Sequence, residues 1–283
     1  MTDERKANRE QAALWNAGSG CTWVELQEML DGVLAPLGDV ALEAAFPGEG
    51  GQVLDVGCGA GATTLAMARR LGPAGRCVGV DISGPLVAVA RARAAAEGMG
   101  NAVFVEADAQ THGFEAGGFD AVMSRFGVMF FDDPVAAFAN LRGAARRDGR
   151  LAFVAWRSPA ENAFMTVAPR AAAPFLSNLR APDPDAAGQF GFADRDRVQR
   201  ILEGSGWGDV EIRAVDVPAA MSESDVVVYG TRLGPVGAAL RDGDVDDATR
   251  TRMAEAIRAA YAPYVREGVA RFTAACWLVT ARA

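Results

Sequence analysis

The sequence of 283 residues has few of the residues that support metal or hydrolytic chemistry. His112 is its only histidine, which excludes a histidine-rich metal site and leaves one imidazole at most for acid–base work. The cysteines Cys21, Cys58, Cys77 and Cys276 include no Cys-x-x-Cys pair, so their spacing indicates neither a zinc site nor a disulfide framework. We therefore expect no metal site.

Long apolar runs and basic clusters are also missing. No uninterrupted apolar segment approaches the roughly 20 residues of a membrane span, and the chain does not begin with the apolar segment of a signal peptide. The formal net charge is -8, and no run of basic residues suits a nucleic-acid backbone or an anionic membrane surface. These absences predict a cytoplasmic protein with neither a nucleic-acid nor a membrane partner.

From residue 52 onward, short apolar segments alternate with helical segments. The apolar segments are hydrophobic on both faces, which is typical of interior strands in a parallel sheet that is covered by helices on both sides. The predicted strands are 53–56, 77–80, 103–105, 121–123, 151–156, 210–215 and 272–280. The predicted helices are 60–71, 85–97, 134–146, 194–203 and 248–265, with Ser83 and Asp133 placed as caps.

Two segments interrupt this alternation. Segment 157–193 contains five prolines, which predicts broken helices and loops, and segment 217–268 is an insertion that is helical by periodicity in its latter half. We expect a helical lid at 1–50, a cofactor-binding core at 51–156, an acceptor-side insertion at 157–193, a core helix and strand at 194–216, a helical insertion at 217–268 and a final strand at 269–283.

The first predicted strand leads into a glycine-rich segment, 55–61, whose sequence is DVGCGAG. Glycine permits the sharp turn and lets a ligand contact the backbone above a helix N-terminus. We expect the cofactor to contact Gly57, Cys58, Gly59 and Gly61. The segment also fits the Gly-x-Gly-x-x-Ala pattern of dinucleotide-binding proteins, so an NAD(P)-dependent oxidoreductase is the alternative.

Three acidic residues favour S-adenosylmethionine over a dinucleotide. Asp55 precedes Gly57 by two residues, where a carboxylate suits a cationic amino group and repels a diphosphate. Asp81 ends the second predicted strand and is placed to accept hydrogen bonds from a ribose diol, a feature that suits both cofactors. Asp108 ends the third, where an adenine amino group would lie, and no such third acid belongs to the nicotinamide pattern.

Together these motifs resemble the class I S-adenosylmethionine-dependent methyltransferases, in particular the branch of the ubiquinone and menaquinone C-methyltransferases. Segment 55–61 matches the first motif of that family, Asp81 its ribose acid, Asp108 with Ala109 its adenine contact, and segment 119–122 its fourth strand. The resemblance implies a Rossmann-like α/β fold: a seven-stranded, mostly parallel sheet whose last strand is antiparallel, with helical lid insertions.

Other residues at the same sheet edge complete the expected cofactor site. Ile82 follows Asp81, while Ser124 and Arg125 end the fourth predicted strand, at the edge where ligands bind in open α/β sheets. Trp15 belongs to an N-terminal segment that is similar to the opening of the same methyltransferase branch, where the first helices fold over the cofactor.

The expected activity is direct in-line transfer of the methyl group of S-adenosylmethionine to an oxygen, carbon or nitrogen atom of a small, largely apolar acceptor, leaving S-adenosylhomocysteine. The acceptor would lie beneath a roof formed by 10–35, 157–193 and 217–268. Such transfer requires no catalytic residue, and the candidate bases are His112, Asp132 and Tyr229. A non-catalytic module that keeps the cofactor fold is a second alternative, and a homodimer is left open.

Overall fold

The computed structural model describes residues 8–179 and 186–283. Parts of the predicted lid and of the predicted acceptor-side insertion, at 1–7 and 180–185, lie outside the described residues. The strands are β1 Gln52–Val56, β2 Arg76–Asp81, β3 Ala102–Glu106, β4 Phe119–Arg125, β5 Ala145–Trp156, β6 Gly208–Ser222, β7 Val265–Arg266 and β8 Val269–Arg282. The helices are α1 Arg9–Asn16, α2 Gly18–Glu25, α3 Gln27–Ala45, α4 Ala62–Leu71, α5 Gly84–Ala96, α6 Pro134–Ala144, α7 Ala163–Ala172, α8 Arg195–Gly204, α9 Glu223–Arg232, α10 Gly234–Asp242 and α11 Asp247–Tyr261.

All of these strands belong to one sheet, in the order β3-β2-β1-β4-β5-β8-β6 with β7 paired to β8 alone. The neighbours from β3 to β5 are parallel, and β8 runs antiparallel to both β5 and β6. The chain order reverses between β1 and β4, so a crevice opens at the carboxyl ends of these strands. The predicted α/β fold, with a mostly parallel sheet and an antiparallel last strand, is confirmed.

The sheet has one strand more than the seven predicted. The additional strand, β7, has only two residues, and Arg266 pairs with Val269 across a two-residue turn. Glu267 and Gly268 in that turn have φ values of 54° and 73°, and two consecutive left-handed residues form the tight turn that suits a β-hairpin. Too short for a hydrophobic pattern, β7 is marked in the sequence only by its turn.

The sixth strand is much longer than the predicted 210–215. It pairs with β8 as far as Ser222 opposite Val269, so its second half occupies residues assigned above to the helical insertion. Pro218 lies within this extension. A proline lacks the N–H that a central strand needs, but β6 is the last strand in the sheet order, and an edge strand tolerates proline.

Both faces of the sheet are buried. The successive residues Val53 and Leu54 of β1 point to opposite faces and belong to two different hydrophobic clusters. Leu65 of α4 and Val87 of α5 pack in the cluster of Val53, whereas Phe138 of α6 packs in that of Leu54. Helices on both sides thus hold the sheet and fix the position of its carboxyl edge.

Candidate cofactor and acceptor site

A cavity of about 500 Å³ lies at the carboxyl edge of the sheet, within the range of small-molecule sites, roughly 300–1,000 Å³. Most of the predicted cofactor residues line it: Trp15, Gly57, Cys58, Gly59, Asp81, Ile82, Asp108, Ala109 and Arg125. Three others, Asp55, Gly61 and Ser124, are not among its lining residues. The structure therefore brings most of the predicted cofactor set together around one space.

The glycine-rich loop is held by its own backbone hydrogen bonds. The N–H groups of Gly57 and Cys58 donate to the Val80 carbonyl at 2.8 and 3.1 Å, and the Gly59 N–H donates to Asp81 at 2.8 Å. A Cβ on Gly57 would lie 2.5 Å from the Cα of Gly127, whereas one on Gly59 would meet no atom within 4 Å. The loop is packed tightly on one side and open on the other.

Gly61 of the loop and Ser124 of β4 lie outside the cavity lining and support the loop from behind. A Cβ on Gly61 would lie 2.9 Å from both Ala90 and Phe104, so this glycine faces the packing between α5 and β3. The buried Ser124 hydroxyl donates to the Val56 carbonyl at 2.7 Å and accepts from the Gly127 N–H at 3.1 Å. The structure thus places Gly61 and Ser124 in packing and hydrogen-bonding positions beneath the loop.

Asp55 is buried at the end of β1, beneath the loop. Its Oδ2 accepts hydrogen bonds from the hydroxyls of Thr63 and Thr64 at 2.6 and 2.7 Å, while its Oδ1 has no partner among the described residues. Burial raises the pKa of Asp55 above its ordinary value, although the two threonine hydrogen bonds and Arg125 lower it. This carboxylate oxygen is the clearest unsatisfied polar atom near the loop.

Asp81 ends β2 and lines the cavity. Its two oxygens accept backbone N–H groups, Oδ2 from Gly59 at 2.8 Å and Oδ1 from Ser83 at 2.9 Å. Burial raises the pKa of Asp81, against these hydrogen bonds, which lower it. Each carboxylate oxygen can accept more than one hydrogen bond, so Asp81 keeps acceptor capacity toward the cavity while it holds the loop.

Asp108 follows β3 and is oriented by the start of the first helix. Its Oδ1 accepts from Asn8 Nδ2 at 2.8 Å and from the Gln110 N–H at 2.9 Å. The Oδ1 of Asn8 in turn accepts the Asp132 N–H at 2.9 Å. This chain of hydrogen bonds fixes the Asn8 amide orientation and leaves Oδ2 of Asp108 without a hydrogen-bond partner in the described part of the chain.

Arg125, at the end of β4, contributes a guanidinium group to the cavity lining. It makes no hydrogen bond or ion pair with any described residue. Burial lowers the pKa of Arg125, while Asp31 and Asp55 raise it. Asp31 itself pairs with Arg93 at 2.9 Å and accepts from Gln27. The guanidinium is thus left uncommitted beside the glycine-rich loop.

The N-terminal helices lie over the part of the cavity that contains the glycine-rich loop. The Trp15 ring meets those of Trp23 and Phe130 edge to face, with centroids 5.7 and 5.5 Å apart. Asn16 Nδ2 donates to the Ile82 carbonyl at 2.9 Å, and Asn16 Oδ1 accepts the Gly84 N–H, also at 2.9 Å. Helix α1 is therefore attached to the turn that follows β2.

The same N-terminal region also contacts the insertion between β6 and β8. Arg232 of α9 pairs with Glu25 of α2, and Arg241 of α10 donates to the Ser19 hydroxyl at 3.1 Å. Ser19 and Arg241 both line the cavity. These contacts join the N-terminal helices to the insertion between β6 and β8.

The half of the cavity away from the loop is largely apolar. Its lining includes Trp156, Phe164, Met165, Tyr229 and Leu233, from β5, α7, α9 and the residue between α9 and α10. The Trp156 ring stacks on Phe126 with centroids 4.0 Å apart. Phe126 follows β4 with a φ of 65°, a conformation that costs a non-glycine residue energy, and it also lines the cavity.

The three candidate bases are placed differently. Tyr229 lines the cavity, but His112 and Asp132 are not among the described lining residues. The His112 ring packs on Phe114, with centroids 4.8 Å apart, and Asp132 is exposed, next to the residue Asp133 that caps α6. The geometry brings only Tyr229 of this set into the described wall of the chamber.

Sequence reasoning missed several polar residues of the site. Asn8, Gln11, Gln27 and Asp31 line the cavity, and the buried Oε1 of Gln11 has no partner among the described residues. They come from helices α1 and α3 or their starts. No spacing motif marks them, because which face of a helix meets the cavity depends on where the helix packs.

The described residues contain no group of three or more histidine, cysteine, aspartate or glutamate side chains that could hold a metal ion. None of the helices in the described ranges is long and apolar enough to cross a membrane.

Comparison with known proteins gives consistent matches. A family model described as a methyltransferase domain matches residues 53–149. The chain is 36% identical over 118 residues to the aklanonic acid methyltransferase DauC of Streptomyces sp. (strain C5), covering 42% of this chain and 54% of that protein. It is 30% identical over 184 residues to the demethylmenaquinone methyltransferase of Roseiflexus castenholzii, covering 62% of this chain and 76% of that protein. The chain spans about half the length of the first curated relatives that it matches.

Among solved structures, that of a putative methyltransferase from Bacillus halodurans covers 88% of this chain and 98% of its own, with a TM-score of 0.55 and 19% identity. At this identity the similarity concerns the fold. Fold and site together define a Rossmann-like α/β protein whose candidate ligand site lies at the carboxyl edge of its sheet. The sequence matches make the assignment specific: the chain belongs to the S-adenosylmethionine-dependent methyltransferase family. This confirms the resemblance seen in its motifs.

Proposed function

We propose that the protein transfers the methyl group of S-adenosylmethionine to a small, largely apolar acceptor and releases S-adenosylhomocysteine. One observation carries this proposal. A single cavity joins the glycine-rich loop, Asp81 and Asp108 to a chamber walled by Trp156 and Phe164. A polar nucleoside cofactor and an apolar acceptor would thus meet within the same enclosed space.

The residues present fit S-adenosylmethionine. Asp81 would accept hydrogen bonds from the ribose, and Oδ2 of Asp108 would accept one from the adenine amino group. The amino-acid end of the cofactor is a zwitterion. The uncommitted guanidinium of Arg125 would bind its carboxylate, and the buried carboxylate of Asp55 would favour its ammonium group electrostatically.

The hydrogen bonds of the loop argue against the dinucleotide alternative. Loops that bind a diphosphate direct free backbone N–H groups at it. Here the N–H groups of Gly57 and Cys58 are bound to Val80, that of Gly59 to Asp81, and that of Gly61 to the Cys58 carbonyl at 2.9 Å. These four N–H groups are therefore not free to bind a diphosphate.

The bound cofactor supplies an activated methyl group on a sulfonium centre. The chain then has to hold the acceptor in line with that methyl group and exclude water, and good positioning alone can lower a barrier by roughly 7–11 kcal/mol. Phe126 and Trp156 would orient a flat acceptor against the end of β4 and β5. Cys58 lines the same space, but burial and the nearby Asp81 raise the pKa of its thiol well above the ordinary value, so the thiol would remain neutral.

Thermal unfolding with added ligands tests the cofactor. S-adenosylhomocysteine should raise the melting temperature, because a ligand at about 100 times its Kd adds roughly 2.7 kcal/mol to the stability, and NADH should not. Stabilisation by NADH alone would contradict the proposal. A screen of candidate acceptors with methyl-labelled S-adenosylmethionine tests the reaction, and cofactor binding without turnover on any acceptor would favour the non-catalytic module.

The remaining assignments stay predictions. They include the division of the chain at 50, 156, 193, 216 and 268 and the roles of the individual site residues. They also include the cytoplasmic location and the absence of a nucleic-acid partner, and the question of a homodimer stays open. The apolar lining of the chamber supports a small-molecule acceptor over a macromolecular one, since a macromolecule would need an open, polar groove.

A further inference from the structure

Tyr229 presents a hydrogen-bonding group in the apolar part of the chamber. It lies on α9 and lines the cavity, and its hydroxyl makes no hydrogen bond with any residue in the described ranges. The neighbouring Tyr261 is different, because its hydroxyl donates to the Phe164 carbonyl at 2.6 Å. Of these two neighbouring tyrosines, Tyr261 uses its hydroxyl in the fold, whereas the hydroxyl of Tyr229, a residue that lines the cavity, is left for a ligand.

The surroundings of Tyr229 keep its hydroxyl in the neutral form. Its ring packs on that of Phe164, with centroids 6.1 Å apart, and the adjoining wall contains Met165 and Ala168. Burial raises the pKa of Tyr229 above its ordinary value, with a smaller contribution from Tyr261. A phenol in this state donates a hydrogen bond well and serves poorly as a base near neutral pH.

We propose that Tyr229 donates a hydrogen bond to an oxygen atom of the acceptor, and that the acceptor accordingly carries an oxygen able to accept it, as a ketone, an enol or a phenol does. A ligand without such an oxygen would leave a buried donor without a partner, which sites of this kind discriminate against. The inference rests on the proposed function, since it assigns the class of molecule that the chamber accepts. In it Tyr229 is a specificity-determining residue.

The test compares two flat probes of nearly equal shape, 9-fluorenone and its hydrocarbon analogue fluorene. Both are titrated into protein saturated with S-adenosylhomocysteine, and tryptophan fluorescence reports binding. We expect wild type to prefer 9-fluorenone. Tyr229→Phe should weaken 9-fluorenone binding by about three- to tenfold, the net contribution of one hydrogen bond, and leave fluorene binding unchanged.

Tyr264→Phe is the matched control. Tyr264 packs on Phe272, with ring centroids 4.9 Å apart, and is not among the described residues that line the cavity. This change should alter the binding of neither probe. The infrared carbonyl band of bound 9-fluorenone gives an independent measurement: it should lie at lower frequency in wild type and in Tyr264→Phe than in Tyr229→Phe.

Three results would overturn the inference. The first is an equal loss of affinity for both probes in Tyr229→Phe, and the second is an unchanged frequency of the carbonyl band in that variant. The third is failure of both probes to bind wild-type protein saturated with S-adenosylhomocysteine. Each differs from failure of the proposed function. If the cofactor assignment fails, S-adenosylhomocysteine itself does not bind and the titration fails before any probe is added; if the protein is a non-catalytic module, the screen with methyl-labelled S-adenosylmethionine shows no turnover, whatever the probes do.

Discussion

Replacing Asp81 tests the proposed cofactor site most directly. Its carboxylate holds the loop through the N–H groups of Gly59 and Ser83 and faces the cavity beside them. In Asp81→Ala the ribose hydroxyls lose a charged acceptor, and such hydrogen bonds contribute about 1.5–3 kcal/mol. Since each 1.4 kcal/mol is tenfold in Kd, we expect the affinity for S-adenosylhomocysteine to fall by about 10- to 150-fold.

The same change also has an effect on stability that must be measured separately. Two backbone N–H groups lose their acceptor, which destabilises the fold, but the removal of a buried carboxylate with a raised pKa partly offsets that loss. Isothermal titration calorimetry gives the Kd, and urea unfolding without ligand gives the stability. The measured increase in Kd should be larger than the increase that a smaller folded fraction alone would cause.

Asp120→Ala is the control for this experiment. Asp120 also accepts a backbone N–H, that of Gln52 at 2.7 Å, and it pairs with Arg146. It lies at the start of β4, at the opposite edge of the sheet from the cavity. We expect Asp120→Ala to lower stability and to leave the Kd unchanged. An Asp81→Ala protein that binds S-adenosylhomocysteine within twofold of wild type would refute the reasoning, because the ribose would then be held elsewhere.

Two further predictions concern the loop and the residue beneath it. Gly57→Ala should lower the free energy of unfolding by at least about 2 kcal/mol in urea titrations, because its Cβ would lie 2.5 Å from Gly127 and its φ is 70°. Gly59→Ala should lower it by only about 1–2 kcal/mol, because Gly59 has a φ of 52° but free space around the Cβ. Equal losses of stability in the two variants would contradict the packing argument. The raised pKa of Asp55 means that this carboxyl contributes stability below the ordinary aspartate pKa of about 3.9 and loses it as the pH rises through the higher folded value. The melting temperature of Asp55→Asn, relative to that of wild type, should therefore rise from acidic to neutral pH. A difference between the two melting temperatures that stays constant across that range would contradict this.

The cofactor side of the site was predictable because its residues are fixed by local spacing. Gly57, Gly59, Asp81 and Asp108 follow directly from strands whose apolar pattern is plain in the sequence, and parallel strands bring their carboxyl ends to one edge. The spacing does not reveal which side of the turn a residue faces. Gly61 belongs to the same motif and is directed at α5 and β3 instead of the cavity.

The contributions of α1 could not be predicted in the same way. Asn8 reaches Asp108 across 100 positions in the chain, and Gln11 lies on the same helix one turn further on. Their positions depend on how the helix packs, which a single sequence does not specify. The carboxyl end of β6 was missed for another reason. A proline such as Pro218 would end a strand in the interior of a sheet, and only the strand order shows that β6 lies at an edge.

The long pairing of β6 with β8 places one wall of the chamber in a different part of the chain from the glycine-rich loop. Beyond Trp156, opposite Cys276, β5 no longer accompanies β8, whereas β6 continues beside it as far as Ser222. The segment from α9 to β7 is carried at the end of this two-stranded arm and supplies one wall of the chamber. Exchange of that segment between relatives could therefore change the choice of acceptor during evolution while β1, β2 and the glycine-rich loop stay as they are.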